Sequence, residues 1–381
     1  MRLDRSGTMS VTLQDGKTVA VSLNADLFAP SSLIEEIVYN PTSLTAQFRT
    51  TRDDTFSVDL LQLKEDAPLD GRPTIYLDQN HWSTLTAAIY RPAAVSNLEE
   101  REAAARLIEL ASAREVVLPL STGHMLETCK QVNFDRRYER ALIISRLSSG
   151  WQLRRPVEVR GLELQKSIAE RNLMPAVAFP PVVTLAPESQ FVSAPPDTET
   201  TADLPVEFQR IWRALTCVSS LFDTLLDSDH LPVRIPPEWA AGFQRFAEMM
   251  RTNPMSGERK RRQTLEKFTE DLGLEFESAA RSVQATPQKF AEWCDNYFEK
   301  DLPGMPALSL YREVIHEKLC NDKLRWRDND LIDMMYLTTA AGYCDHVVAE
   351  RSHAAHIKSA LRRLERPDNV HRSLRHLIDA L

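Results

Sequence analysis

Five carboxylates in this chain, Asp78, Glu127, Asp330, Asp333 and Glu350, stand at positions from which acidic side chains do phosphoryl chemistry. Asp78 follows the short apolar run Thr74-Ile75-Tyr76-Leu77 and precedes Gln79-Asn80-His81-Trp82. Read as a buried strand, that run delivers Asp78 to the strand's carboxyl end, where open α/β sheets place their ligands. Capping the next helix is an equally supported role for this aspartate. Glu127 falls early in the helix predicted after a second apolar strand, Val116 to Leu120, with Ser121 or Thr122 as its cap. Asp330 and Asp333 are three apart on a predicted helix and so share a face. Glu350 ends the segment that begins at Asp345-His346-Val347-Val348, read as the last strand.

In a parallel sheet the strand ends and the helix N-termini that follow them lie along one edge, so acids distant in sequence can converge. Converging carboxylates repel, and without a cation some would be protonated. Hard divalent cations such as Mg²⁺ or Mn²⁺ take oxygen ligands and match such a set. The chemistry open to them is water activation and stabilisation of a charged phosphoryl transition state. Asp78, Glu127, Asp330 and Glu350 are therefore the expected metal ligands, with Asp333 beside them in the catalytic cluster. Asp345 competes with Glu350 for the last place, although closing the turn after Gly342 accounts for it more simply. Zinc is disfavoured: His124 and Glu127, and His353 and His356, have i, i+3 spacing but no fixed cysteine or histidine partners. Gln79 and Asn80 are candidates to orient a metal-bound water or phosphate, and capping the first helix is at least as well supported a role.

The elements that must position these acids change along the chain. Residues 1–72 read as a β-rich module, with Val11, Leu13, Val19, Val21 and Leu23 alternating around the Asp15-Gly16 hairpin signal. Ser31 to Ile37 is expected as a short helix, with strands over Leu44 to Phe48 and Thr55 to Leu63. From residue 73 to 150 a β-α-β-α alternation predicts a parallel sheet covered by helices, with helices over Trp82 to Tyr90, Asn97 to Ala113 and Phe134 to Leu147. Residues 151–304 read as a mostly helical insertion with an approach punctuated by prolines, including Pro156, Pro180, Pro195 and Pro196. Residues 305–381 return to α/β, with helices over Leu308 to Leu319 and Asp328 to Ala341 and a basic helical tail.

Composition narrows the function classes. The 381 residues suffice for two or three domains, and with 43% hydrophobic and 26% charged residues they have the balance of a soluble globular chain. Only 11 glycines against 22 prolines argue against glycine-rich phosphate loops. No apolar run approaches the ~20 residues of a membrane span, and the start at Met1-Arg2-Leu3-Asp4-Arg5 lacks the apolar core of a signal peptide, so a cytoplasmic location is expected. The five cysteines form no C-x-x-C pair and read as buried free thiols. A net charge of -8 means that a polyanionic substrate would have to be met by local basic patches. Arg259-Lys260-Arg261-Arg262 and the trio Arg136, Arg137 and Arg140 are the candidates, each more simply a solvated helix face. Trp326 is a candidate base-stacking residue, though core packing is the commoner fate of tryptophan.

The runs Tyr76-Leu77-Asp78-Gln79-Asn80 and Leu118-Pro119-Leu120-Ser121-Thr122-Gly123-His124-Met125-Leu126-Glu127 resemble the start of a PIN-like nuclease domain. Asn329-Asp330-Leu331-Ile332-Asp333 and the segment from Tyr343 to Arg351 are similar to that family's closing half. The resemblance covers Thr74 to Ser149 and the chain from Met305 onward. It implies a three-layer α/β/α fold with a central parallel sheet, and a Mg²⁺- or Mn²⁺-dependent endonuclease that cuts RNA, less often DNA. Asp78, Glu127 and Asp330 match the family's first three acids, and Glu350 stands where the family often has an aspartate. The long insertion departs from the small members of the family. The implied partner is a nucleic acid, RNA ahead of DNA, with a regulatory protein as a second candidate and no membrane. Two rivals stand beside the endoribonuclease. One is a non-catalytic PIN-like binding module. The other is an aspartyl-phosphate phosphatase with Asp78 as nucleophile, disfavoured because Asn80 replaces the second acid of a D-x-D pair.

Overall fold

The computed structural model describes residues 1–12, 15–22, 28, 31–60, 69–191, 205–227, 237–321, 325–327 and 330–381. Leu13, Leu23, Leu63, Pro195, Pro196, Asp328 and Asn329 lie outside the described residues. The chain opens with strands β1 (Arg2–Asp4), β2 (Thr8–Thr12), β3 (Thr18–Ser22), β4 (Ile34–Asn40), β5 (Thr45–Thr50) and β6 (Thr55–Asp59). Next come β7 (Ile75–Leu77), α1 (Gln79–Tyr90), α2 (Leu98–Ser112), α3 (Thr122–Cys129), α4 (Phe134–Ser148) and β8 (Gln152–Leu153). The middle holds α5 (Pro156–Arg171), β9 (Val183–Thr184), α6 (Val206–Leu226), α7 (Pro237–Thr252), α8 (Gly257–Asp271), α9 (Gly273–Ser282), α10 (Pro287–Asn296) and α11 (Phe298–Asp301). The chain closes with α12 (Pro306–Cys320), α13 (Asp330–Tyr343), β10 (His346–Val348), α14 (Arg351–Arg363), β11 (Val370–His371) and α15 (Leu374–Ile378). The class is mixed α/β, and two compact units divide it: Met1–Leu153 with Val183–Pro232 and Ile378–Leu381, and Arg154–Val182 with Val233–Leu377. The stretch 151–304 thus contributes to both. Among the described residues no helix is long and apolar enough to cross a membrane.

In the first unit, β1 to β6 form an antiparallel sheet in the order β3-β2-β1-β4-β5-β6. The hairpin expected at Asp15-Gly16 is present, with Thr12 opposite Thr18. Ser31 to Ile37 is not a helix. From Ile34 it is strand β4, paired to β1 and β5. A register shift between Ile34 and Glu36 breaks the alternation, so Ile34 and Ile37 are both buried at a three-residue spacing that imitates a helix. Their β-branched side chains, with Val38 and Tyr39 after them, favour the strand.

This sheet is covered by helix. β6 packs on α4, Phe56 stacks on Phe222 of α6 at 4.9 Å, and Ser32 Oγ donates to Asp223 at 2.8 Å. Burying each large apolar side chain here contributes about 1.5–3 kcal/mol.

A second, parallel arrangement follows in the same unit. Ile75 N–H donates to Val117 O and Val117 N–H to Pro73 O, while Leu120 exchanges hydrogen bonds with Trp151 and Leu153. The run 116–120 thus lies between β7 and β8 and parallel to both, through bridges at Val117 and Leu120. It is not a continuous strand, because Pro119 has no N–H to donate.

The second unit is built on α12. This helix is buried on nearly every side and packs against α5, α7, α8, α13 and α14. β10 and β11 pair in parallel, joined by α14 as the crossover. Helices α5 and α9, which apolar periodicity does not predict, pack on each other. Of the cysteines, Cys129, Cys217 and Cys344 are buried, Cys294 and Cys320 are half-buried, and all five are free thiols.

Candidate active site

Asp78 lies one residue past β7, whose three residues are all buried. Its backbone is extended (φ -64°, ψ 155°) and its Oδ1 accepts the Gln79 N–H at 2.8 Å, making it the N-cap of α1. The capping role is therefore real, and it fixes the carboxylate at the junction of strand and helix.

His124 ties this junction to α3. The Ser121 N–H donates to His124 Nδ1 at 3.0 Å, so the ring proton sits on Nε2 and is donated to Leu77 O at 2.7 Å. The ring stacks on Tyr76 at 5.0 Å and meets Trp82 edge-on at 5.8 Å. Burial drives its pKa down to about 4, against smaller opposing effects of the Leu77 carbonyl and Asp78. A neutral, doubly hydrogen-bonded imidazole of this kind is a structural link rather than a metal ligand. A second link joins Gln79 Nε2 to Thr128 Oγ1 at 3.0 Å, one residue beyond Glu127. Glu127 itself is half-buried and pairs with Lys130 at 2.5 Å.

The other three acids belong to the second unit. Asp330 and Asp333 share the first turn of α13, and both are half-buried. Asp330 Oδ2 accepts the Arg327 N–H at 2.6 Å and forms an ion pair with Lys318 of α12. That lysine also lies over the Trp326 ring at 4.8 Å. Trp326 is buried and stacks on Phe243 at 4.7 Å, so it is a core residue and not a platform for bases. Glu350 is exposed at the N-cap position of α14 and makes no side-chain cap bond; Asp345 is exposed as well. Among the described residues, no group of three or more His, Cys, Asp or Glu side chains is arranged to hold a metal ion.

The basic patches resolve differently. Arg137 is buried, donates to Gln131 O at 2.7 Å and lies against the Phe134 ring, and burial lowers the pKa of Arg140. These two arginines are packed, so the reading of a wholly solvated face does not hold for that trio. In the other patch, Arg261 pairs at 2.7 Å with the buried Glu313, which Arg312 and Arg363 also engage.

Comparison with known proteins finds no matching family model, curated protein or solved structure. The assignment of function therefore rests on the residues themselves.

One buried carboxylate escapes any reading of motifs. Glu163 of α5 accepts the N–H groups of Ala307 at 2.7 Å and Leu308 at 3.0 Å, and the Tyr343 hydroxyl at 2.7 Å. It satisfies the first turn of α12 from outside the helix. Its signal in the sequence is a helical stripe: Pro156, Val159, Arg160, Glu163, Leu164, Ser167 and Ile168 are all buried. Three of those seven are polar, which hides the stripe from a search for apolar residues.

Proposed function

We propose that the chain is a Mg²⁺- or Mn²⁺-dependent endonuclease that hydrolyses phosphodiester bonds, in RNA ahead of DNA, in the manner of the PIN-like domains its motifs resemble. The observation that carries this reading is the position of Asp78, one residue beyond a buried strand with a parallel neighbour and at the first turn of the next helix. The pair Asp330 and Asp333, in one helical turn shortly before the parallel strand β10, supports it. In this proposal the parallel-paired segments form the centre of a three-layer α/β/α domain.

The donors fit the ion by chemistry. They are carboxylate oxygens, and Mg²⁺ is characteristically held by one or two carboxylates together with waters and substrate phosphates rather than by a full protein cage. Asp330 and Asp333, in one helical turn, supply one such pair. A bound cation supplies water activation and neutralises the charge that develops on the phosphoryl group. Lys318 pairs with Asp330, and the Gln79 N–H at the start of α1 donates to Asp78.

Local satisfaction of the acids favours a second reading, a binding module of the same fold without catalysis. Asp78 caps a helix, Glu127 pairs with Lys130, and Asp330 pairs with Lys318. The test is the purified full chain with Mn²⁺ on single-stranded and structured RNA, beside the double variant Asp78→Asn plus Asp330→Asn. Cleavage that leaves 5′-phosphate and 3′-hydroxyl ends, and is lost in the variant, is expected. Equal cleavage by both proteins overturns the proposal. RNA binding with no heat of Mn²⁺ binding supports the second reading.

A further inference from the structure

Glu163 lines a cavity of about 690 Å³ that lies wholly within the second unit. That volume is in the range of about 300–1,000 Å³ in which small-molecule sites fall. Two kinds of wall meet there. One is aromatic: the Phe179 ring lies over the Tyr343 ring at 5.9 Å and 21°. The other is basic, formed by Lys166, Arg171 and Lys300.

The basic wall is partly organised in advance. Arg171 Nη2 contacts Asp301 Oδ1 at 2.5 Å while its Nε reaches both carboxylate oxygens at 3.0 Å. Asp301 is fixed in turn by Ser167 Oγ at 3.0 Å and Trp293 Nε1 at 3.2 Å. Lys166 and Lys300 are exposed, where they can meet an entering anion. Glu163 adds little repulsion at the floor, because burial shifts it toward its neutral form and two backbone donors and the Tyr343 hydroxyl face it. The remaining acids in the lining are Asp301, which Arg171 engages, and the exposed Glu170, whose carboxylate lies 3.9 Å from Lys166 in a solvated pair that an entering phosphate would displace.

A flat ring joined to a compact anion satisfies both walls. Stacking on an aromatic side chain suits a nucleobase whatever its sequence identity. With Arg171 taken up by Asp301, the two exposed ammonium groups of Lys166 and Lys300 match a phosphate dianion better than a single carboxylate, and the cavity is larger than a simple aromatic acid would fill. We propose that this cavity binds a nucleoside 5′-monophosphate, with its base against Phe179 and Tyr343 and its phosphate at Lys166 and Lys300. The site contains none of the five acids of the nuclease reading, and it stands or falls separately from it.

The test is calorimetric titration of the full chain with AMP, GMP, CMP and UMP, with adenosine and inorganic phosphate as partial ligands. At least one monophosphate is expected to bind saturably, more than tenfold tighter than either partial ligand, since both walls contribute. Lys166→Ala with Lys300→Ala, and separately Phe179→Ala, should each weaken binding about tenfold, the scale of one stacked base or one charge-assisted contact. Phe179→Trp keeps the stacking surface and should retain the affinity. Thermal unfolding of each variant shows that the fold is kept. The proposal is overturned if no monophosphate binds at millimolar concentration. It is equally overturned if phosphate alone binds as well as AMP, or if the variants bind like the parent.

Discussion

Replacing Glu163 by glutamine should remove a pH dependence built into the second unit. Glu163 is 4% exposed, and burial pushes its pKa from 4.5 up to about 7, against the lowering effects of the Ala307 N–H, the Tyr343 hydroxyl, the Leu308 N–H and Arg160. Between those two pH values the folded chain holds a proton that the unfolded chain has released. Stability must then fall as pH rises through this window, because it rises with pH only where the unfolded state binds more protons. The stability is fully present below about 4.5 and is lost as pH passes 7. Each pKa unit corresponds to about 1.4 kcal/mol, so the loss between pH 5 and pH 8 is roughly 2–3 kcal/mol.

Glutamine resembles the protonated acid in shape and does not titrate, so Glu163→Gln should be flat over the same range. The assay is urea unfolding of both proteins at half-unit steps from pH 5 to pH 8, with the difference between them cancelling the other titrating groups. The variant should gain on the parent by roughly 2–3 kcal/mol as pH rises. A constant difference would mean that the three donors outweigh burial and that the carboxylate is ionised throughout. A difference that moved the other way would refute the reasoning outright.

Three further outcomes follow from the same contacts. Asp78→Ala should cost about 1 kcal/mol in thermal or urea unfolding through loss of the α1 cap, while Asp78→Asn keeps an accepting oxygen and should cost a few tenths. His124 is pushed down to about 4 by burial, so it contributes stability that is complete above its unfolded value of 6.5 and is lost as pH falls toward 4. Unfolding at pH 4.5 and pH 7 should show His124→Phe less stable than the parent at pH 7 yet with a shallower acid slope. Arg160 is buried, pairs with Glu275 at 2.6 Å and lies over Tyr311 at 4.5 Å, so Arg160→Met should cost about 3–5 kcal/mol in urea unfolding, part of it restored by adding Glu275→Gln.

The sequence was most legible where a local device carries its own residue signature. Asn97 and Ser121 cap the helices they are expected to open, the helix expected from Phe134 begins there behind an Asn133 cap, and the Asp15-Gly16 signal lies between two paired strands. Legibility failed where tertiary contacts overrode the period. The register shift at the start of β4 gave two buried isoleucines a helical spacing, and Pro119 reduced an apolar strand to two bridges. In α5 the buried face is recruited through charge: Arg160 is claimed by Glu275, Glu163 by the start of α12, and Ser167 by Asp301. No pattern of apolar residues in 156–171 announces those partners, because each lies more than a hundred residues away in sequence.

Asp78 shows why a candidate site is harder to read than a fold. The end of a parallel-paired strand is also the start of the next helix, and both places call for an acid, one to meet a ligand and the other to meet backbone N–H groups. The same residue type at the same position therefore serves two roles that sequence alone does not separate. The observed bond from Gln79 N–H to Oδ1 establishes the capping role and leaves the ligand role untouched. Charge separates them, because asparagine caps nearly as well as aspartate but is a far weaker ligand for a hard cation. If Asp78→Asn folds with parental stability and loses Mn²⁺-dependent cleavage, the carboxylate serves chemistry as well as structure. If it keeps full activity, the cap is its whole function and the proposed metal site has to be built without it.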